Sequence, residues 1–190
     1  MLLAKRSLQH HRISLAIILL MFLGAAAEVS MGRRLWGTSG VPGFWSGDIN
    51  SSHNSQFLLD PYTFTHVTHG ILFFGLLSFI FRWLPFDARL AVTVALETAW
   101  EVIENTDTVI QRYRAETISL NYYGDSIVNS VGDVLACILG FLLASRLPRR
   151  AAVATVIVLE LVLLVLVRDN LTLNIVMLIY PIRAIRMWQL

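Results

Sequence analysis

The sequence predicts an all-α fold, a polytopic integral membrane helical bundle of five to six transmembrane helices, and three observations carry that expectation. Hydrophobic residues make up 56% of the 190 positions and charged residues only 15%, against about 25% charged in water-soluble domains. Mean hydropathy is +0.64. Several uninterrupted apolar runs are long enough to cross a hydrocarbon layer about 30 Å thick. An ordinary soluble globule is therefore excluded. The net charge of +2 comes from arginines flanking apolar runs rather than from a basic face, which argues against nucleic acid as a partner. Cys137 is the single cysteine, so an internal disulfide and a zinc ribbon are excluded and a packing role remains.

Lys5, Arg6 and Arg12 precede an apolar run over 13–27 that ends in Ala25-Ala26-Ala27-Glu28. It reads as a retained signal-anchor helix, with a cleaved signal peptide as the alternative. Residues 34–60 are rich in Gly, Ser and Asn, carry Trp36 and Trp45, and keep no period, which predicts an extramembrane loop. Asp60-Pro61 provides a helix start with Asp as cap and Pro in the first turn, and a second span follows over 62–83. Pro85 and Asp87 mark a turn before a third span over 88–105. A polar segment over 106–124 leads into a fourth span over 125–145, closed by Leu147-Pro148-Arg149-Arg150. The fifth span, 151–167, is the most apolar. After Arg168-Asp169-Asn170, the stretch 171–182 is short for a crossing and is expected as a sixth helix, spanning or interfacial. The chain is one membrane domain, 1–190, with a periplasmic loop near 31–61, pocket helices near 62–145 and a C-terminal hairpin near 151–190.

Orientation follows from basic residues at span ends, which are in excess on the cytoplasmic side. With the N-terminus inside, that side holds Lys5, Arg6, Arg12, Arg82, Arg89, Arg146, Arg149 and Arg150, joined by Arg183 and Arg186 if the last segment crosses. The expected location is a bacterial inner membrane, with the N-terminus cytoplasmic.

Ionisable groups inside apolar helices carry the chemistry. Glu97, Glu101 and Glu104, spaced i, i+4, i+7, project from one face of the third span. At about 2.5 to 3.5 kcal/mol per charge at a helix centre, they must be protonated, paired or hydrated. Asp125, Asn129 and Asp133 form a second stripe at i, i+4, i+8, with Gly132 and Gly140 permitting close helix approach. His66 and His69 sit at i, i+3 in the second span, suited to proton transfer or metal binding. At 1.5 Å per residue all three stripes fall between the bilayer centre and the outer interface, where Arg112, Arg114 and Arg168 stand ready to pair with carboxylates or an anionic head group. A polar pocket opening outward satisfies them all. Residues 50–55 either cover that pocket or form an ordinary turn-rich loop, and Glu160 is expected to pair with a neighbouring helix.

Together, Ser46-Gly47-Asp48-Ile49-Asn50-Ser51-Ser52-His53-Asn54-Ser55-Gln56, Asp60-Pro61-Tyr62, Thr65-His66, His69-Gly70, Glu97-x-x-Trp100-Glu101-x-x-Glu104-Asn105 and Asn129-Ser130-x-Gly132-Asp133 resemble an uncharacterised inner-membrane family of alphaproteobacteria. More distantly, Glu97, Glu101, Arg114 and Asp125-x-x-x-Asn129-x-x-Gly132 are similar to VanZ-like proteins, which implies a role in the cell envelope. Asn121-Tyr122-Tyr123-Gly124-Asp125-Ser126 looks like a segment of lipoprotein signal peptidases, which would make Asp107 the second aspartate of an aspartic membrane peptidase, the lowest-ranked reading.

The function expected is that of a multi-pass protein whose periplasm-facing pocket binds or acts on an envelope or lipid-linked substrate, with the bilayer as its other partner. His66, His69, Glu97, Glu101, Glu104, Asp125, Asn129 and Asp133 are the candidate acid/base groups. A divalent metal is an optional cofactor, with His66, His69, Glu101 and Asp125 as candidate ligands. The alternatives are a proton-coupled carrier, in which the carboxylates carry protons, and a non-catalytic assembly protein.

Overall fold

The structure is a computed structural model that describes residues 2–37 and 39–190, with side chains described from residue 11 onward. Its elements in chain order are α1 (Leu2–Ser30), α2 (Thr63–Ile80), α3 (Phe86–Glu104), α4 (Asp107–Glu116), α5 (Ile127–Arg146), α6 (Arg149–Val167), α7 (Leu171–Ile179) and α8 (Arg183–Gln189). No strand occurs among the described residues; one isolated bridge joins Trp45 and Leu59. The all-α expectation holds.

Four helices are long and apolar enough to cross a membrane: α1 over His11–Ser30, α2, α5 and α6. α3 has comparable length, 19 residues, but its five charged residues Asp87, Arg89, Glu97, Glu101 and Glu104 remove the continuous apolar character of the others. α7, expected as a short sixth helix that either spans or lies at the interface, is too short to span. Its nine residues rise only about 14 Å, less than half of a hydrocarbon layer, before Tyr180-Pro181 ends it. The segment 106–124, expected as merely polar, contains the helix α4. Ile110 and Tyr113, at i and i+3, are its buried positions, and Tyr113 packs with Ile110 and Tyr122.

Small residues set the packing. α2 lies against α5 at backbone contact: a Cβ on Gly70 would land on the Cys137 carbonyl, and one on Gly140 on the Val67 carbonyl. Val67, Ile71, Ala136 and Ala144 form the apolar cluster between them, covered by Phe74 and by Val156 and Leu159 of α6. α1 packs on α3, with Gly24 facing the methyl group of Thr98. α6 points Val153, Ile157, Val158, Leu161 and Val165 outward, as a lipid-facing helix would.

The loop before α2 is tied to the bundle rather than free. Its 55–58 segment runs along the start of α5: Ser126 N donates to Ser55 O at 2.8 Å, Ser126 Oγ donates to Gln56 O at 3.0 Å, and Asn129 Nδ2 donates to Phe57 O at 2.9 Å. Gly132 leaves room for the Leu58 carbonyl. Asp60 then caps the turn that opens α2, accepting from Tyr62 N at 2.8 Å and Thr63 N at 3.3 Å, as the Asp-Pro signal indicates. At the far end of the chain, Glu160 of α6 accepts from Leu171 N and Thr172 N, both at 3.0 Å. These two orphan donors hold the start of α7 alongside α6 instead of beyond it. α7 thereby returns toward the bundle and supplies Leu171, Asn174 and Ile175 to the wall of a cavity.

Candidate functional site

At the loop end of the bundle, α2, α3, α5, α7 and the 54–60 segment enclose a cavity of about 500 Å³, within the range of small-molecule sites. The i, i+3 spacing on α2, the i, i+4 spacing on α3 and the i, i+4 spacing of Asn129 and Asp133 on α5 turn their polar stripes toward it, while Asp125, expected as the first residue of the fourth span, lies just before α5.

Glu97, fully buried, is the hub. Its Oε1 lies 2.6 Å from His66 Nδ1 and 3.0 Å from His69 Nδ1, and its Oε2 lies 3.1 Å from His69 Nδ1. With Glu97 ionised, both Nδ1 atoms carry protons and donate, which leaves the lone pairs of the two imidazoles on Nε2. The His66 ring also has Glu101 Oε1 at 3.3 Å from Nδ1 and Asp133 Oδ2 at 3.8 Å from Nε2. Nearer the loop, Asp125 Oδ2 accepts from Tyr122 Oη and Asn105 Nδ2, both at 2.8 Å. Asn105 also takes Asp125 N on its Oδ1 at 2.8 Å, so this one amide braces the end of α3 against the start of α5. Glu104 lines the cavity beside them.

Burial pushes the Asp125 carboxyl up to about 6; the Tyr122 and Asn105 hydrogen bonds pull it down and the charge of Asp60 adds to the rise. Burial likewise raises Asp60, against the backbone N–H groups of Ser55, Tyr62 and Thr63 that favour its ionised form. Ser55, held at φ 61, bridges loop and site: its N–H donates to Asp60 Oδ2 at 2.9 Å, while its carbonyl takes the Ser126 N–H. A non-glycine residue in that region is strained and persists because several bonds fix it.

All eight candidate acid/base residues thus gather at one place. His66, His69, Glu97, Glu104, Asp125, Asn129 and Asp133 line the cavity, and Glu101 stands behind His66, bordering also a small crevice against α1. The three arginines do not join them. Arg112 Nε donates to the Leu178 carbonyl at 3.0 Å, the Arg114 guanidinium lies 4.4 Å from the Tyr123 ring centre, and Arg168 turns the chain after α6 at φ 54. Placement on the same side of the bundle was legible; the carbonyl that Arg112 meets and the tyrosine ring that Arg114 meets come from chain folding and were not. Asp107 is also corrected as a second catalytic aspartate, because its side chain is 89% exposed beside Arg33 and does not reach Asp125.

Sequence reasoning missed Asp60, Asn105, Tyr122 and Glu28. Asp60 has a sufficient role as a cap, and Asn105, at the end of a predicted span, is marked only by the motif in which it stands. Glu28, 2% exposed, borders the α1 crevice with Glu101 and Ser130. Its position four residues after Gly24, on the face that meets α3, is the signal that could have found it.

The family model described as "Protein of unknown function (DUF2585)" matches residues 28–190. The chain is 54% identical over 159 residues to a UPF0314 protein of Rhizobium meliloti (strain 1021), covering 84% of this chain and 81% of the relative. It is 47% identical over 174 residues to a UPF0314 protein of Paracoccus denitrificans (strain Pd 1222), covering 92% and 90%. With a UPF0314 protein of Sphingopyxis alaskensis it shares 41% over 174 residues, 90% of each chain. No solved structure matches.

Proposed function

Because the chain belongs to the DUF2585 family, described as proteins of unknown function, its site speaks only through its geometry, and we propose that the cavity binds the polar end of a lipid or lipid-linked envelope substrate within the outer half of a bacterial inner membrane. One observation carries this: the same cavity joins a His/carboxylate floor to apolar residues that are half exposed on the helix surfaces, Leu72 of α2 and Leu96 and Ile103 of α3. In a bilayer that wall faces acyl chains. An amphiphile can enter sideways between helices, its head group reaching His69 and Glu104 while its chain stays in lipid.

In this proposal α3 is a fifth crossing. Its glutamates are tolerable because Glu97 and Glu101 face α2 and α5 rather than lipid. Five crossings place Arg183 and Arg186 on the periplasmic side, which narrows the basic excess. The orientation then rests on Lys5, Arg6 and Arg12 before α1 and on Arg146, Arg149 and Arg150. In a Cys137→Ser background, an impermeant maleimide applied to intact spheroplasts should modify Ser51→Cys and spare Arg149→Cys. Modification of Ser51→Cys only after permeabilisation would reverse the orientation.

The chemistry that suits the floor is acid/base hydrolysis or group transfer at the head group, since crowded carboxylates hold their protons with different affinities and one can donate while another accepts. The likeness of Glu97, Glu101, Asp125, Asn129 and Gly132 to VanZ-like proteins supports an envelope role. Arg114 of that pattern stays outside the cavity. A proton-coupled carrier has less support, because Leu77, Val94 and Phe141 are buried and the polar stripes end before them, at Asp133 on α5.

Occupancy tests the proposal. Native mass spectrometry of protein extracted in mild detergent should find about one lipid retained per chain, as expected for a formed pocket. Ala99→Trp, which adds bulk at a lining position and replaces no titratable group, should lose it. A lipid-free wild type, or retention unchanged by Ala99→Trp, would overturn the assignment.

A further inference from the structure

We propose that the deep end of the cavity is a binding site for one divalent first-row transition ion, ligated by His66 Nε2 and the carboxylates of Asp133 and Glu101. The inference rests on the cavity being a site and adds its cofactor.

Donor atoms of His66, Glu101 and Asp133, all buried, lie within 4.8 Å of one another. Three donors at about 2.1 Å from one ion stand roughly 3.0 to 3.6 Å apart, so side-chain rotations that draw the outermost donors in by about 1 Å close the set. Two oxygens there have no hydrogen-bond partner: Glu101 Oε1, which lies 3.3 Å from a His66 Nδ1 already given to Glu97, and Asp133 Oδ1, on residues 2% and 4% exposed. A buried carboxylate oxygen without a donor is expensive, and a cation is the partner that both could share. Among the described residues, no Lys or Arg lines the cavity to play that part.

His66 is already arranged as a ligand. Its Nδ1 is held by Glu97 at 2.6 Å, which turns Nε2 toward Asp133, the carboxylate–histidine–metal order found around bound ions. Glu97 is therefore a positioning residue for the ring. One imidazole and two carboxylates form a mixed nitrogen/oxygen set, suited to Zn²⁺, Mn²⁺ or Fe²⁺ rather than to Ca²⁺ or Mg²⁺, which take all-oxygen shells. The ion also alters what the cavity accepts: a floor of carboxylates repels anionic head groups, and a divalent ion among them reverses the local field.

The test uses the full chain in mild detergent, stripped with chelator, reloaded with Zn²⁺ or Mn²⁺, desalted and measured by elemental analysis. Wild type should retain about one ion per chain, and Asp133→Asn and His66→Gln should each retain at least about tenfold less at equal protein. Asp169→Asn, which removes a buried carboxylate outside the cavity, should retain the ion. Should Asp133→Asn fail to accumulate, Glu101→Gln replaces it. Wild type without metal, or undiminished metal in His66→Gln and either carboxylate variant, overturns the proposal. Metal-free protein that still retains lipid, with retention lost in Ala99→Trp, overturns the ion alone. Metal binding in protein without lipid overturns the substrate assignment alone.

Discussion

Gly70→Val should leave almost no folded protein in the membrane. A Cβ at this position would meet the Cys137 carbonyl oxygen and lie 2.6 Å from Phe141 N. Both are backbone atoms of a regular helix, so no rotamer change relieves the overlap, and α2 and α5 must separate. Gly140 faces the Val67 carbonyl from the other side of the same contact, so the shift cannot be taken up by sliding along the pair. The loss should exceed about 4 kcal/mol, in the range reserved for disruption of a core. Separation of these helices would also draw His66 away from Asp133. Gly75→Ala is the matched control: on the same helix, a Cβ there meets nothing within 4 Å, and replacing glycine by alanine in a helix is favourable by up to about 1 kcal/mol. Membrane abundance and thermal unfolding of the two variants check both expectations. Wild-type abundance of Gly70→Val would mean that the backbone contact between α2 and α5 does not form.

The gathering of the candidate residues was more legible than the chain turns around them. Helical spacing alone aligned Glu97 with Glu101, Asn129 with Asp133 and His66 with His69, because polar groups in an apolar helix must face something other than lipid and their period says which face. The hub role of Glu97, which holds both imidazoles, was not legible, since nothing along the chain says how α2 sits against α3. Asn105 escaped for the same reason, since Asp125 is close to it only once α4 has returned the chain to the bundle; Tyr122, three residues before Asp125, sits in no helical period that would show its hydroxyl turned back onto that carboxylate. α4 itself is predominantly polar and shows only Ile110 and Tyr113 as an inward pair, too short a pattern to stand out from a loop. The arginines near the site were overvalued because charge and side were known while their carbonyl and aromatic neighbours were not. For the last segment, Pro181 was visible, yet the return of α7 depends on Glu160, whose pairing was anticipated without its partner.

The most direct test of the site is removal of its charges without change of size. Glu101→Gln and Asp125→Asn retain hydrogen-bonding capacity: an asparagine oxygen can still accept from Tyr122 and Asn105, and a glutamine can still reach His66. Neither amide takes up a proton as a base or serves as an anionic ligand. In a strain deleted for the gene, complementation by each variant should be measured beside membrane abundance and thermal stability. The predicted result is abundance and stability near wild type with complementation abolished by each substitution, because the carboxylates act on what the cavity holds. Full complementation by both folded variants would contradict that claim, and loss of abundance in both would make the carboxylates packing elements of the bundle.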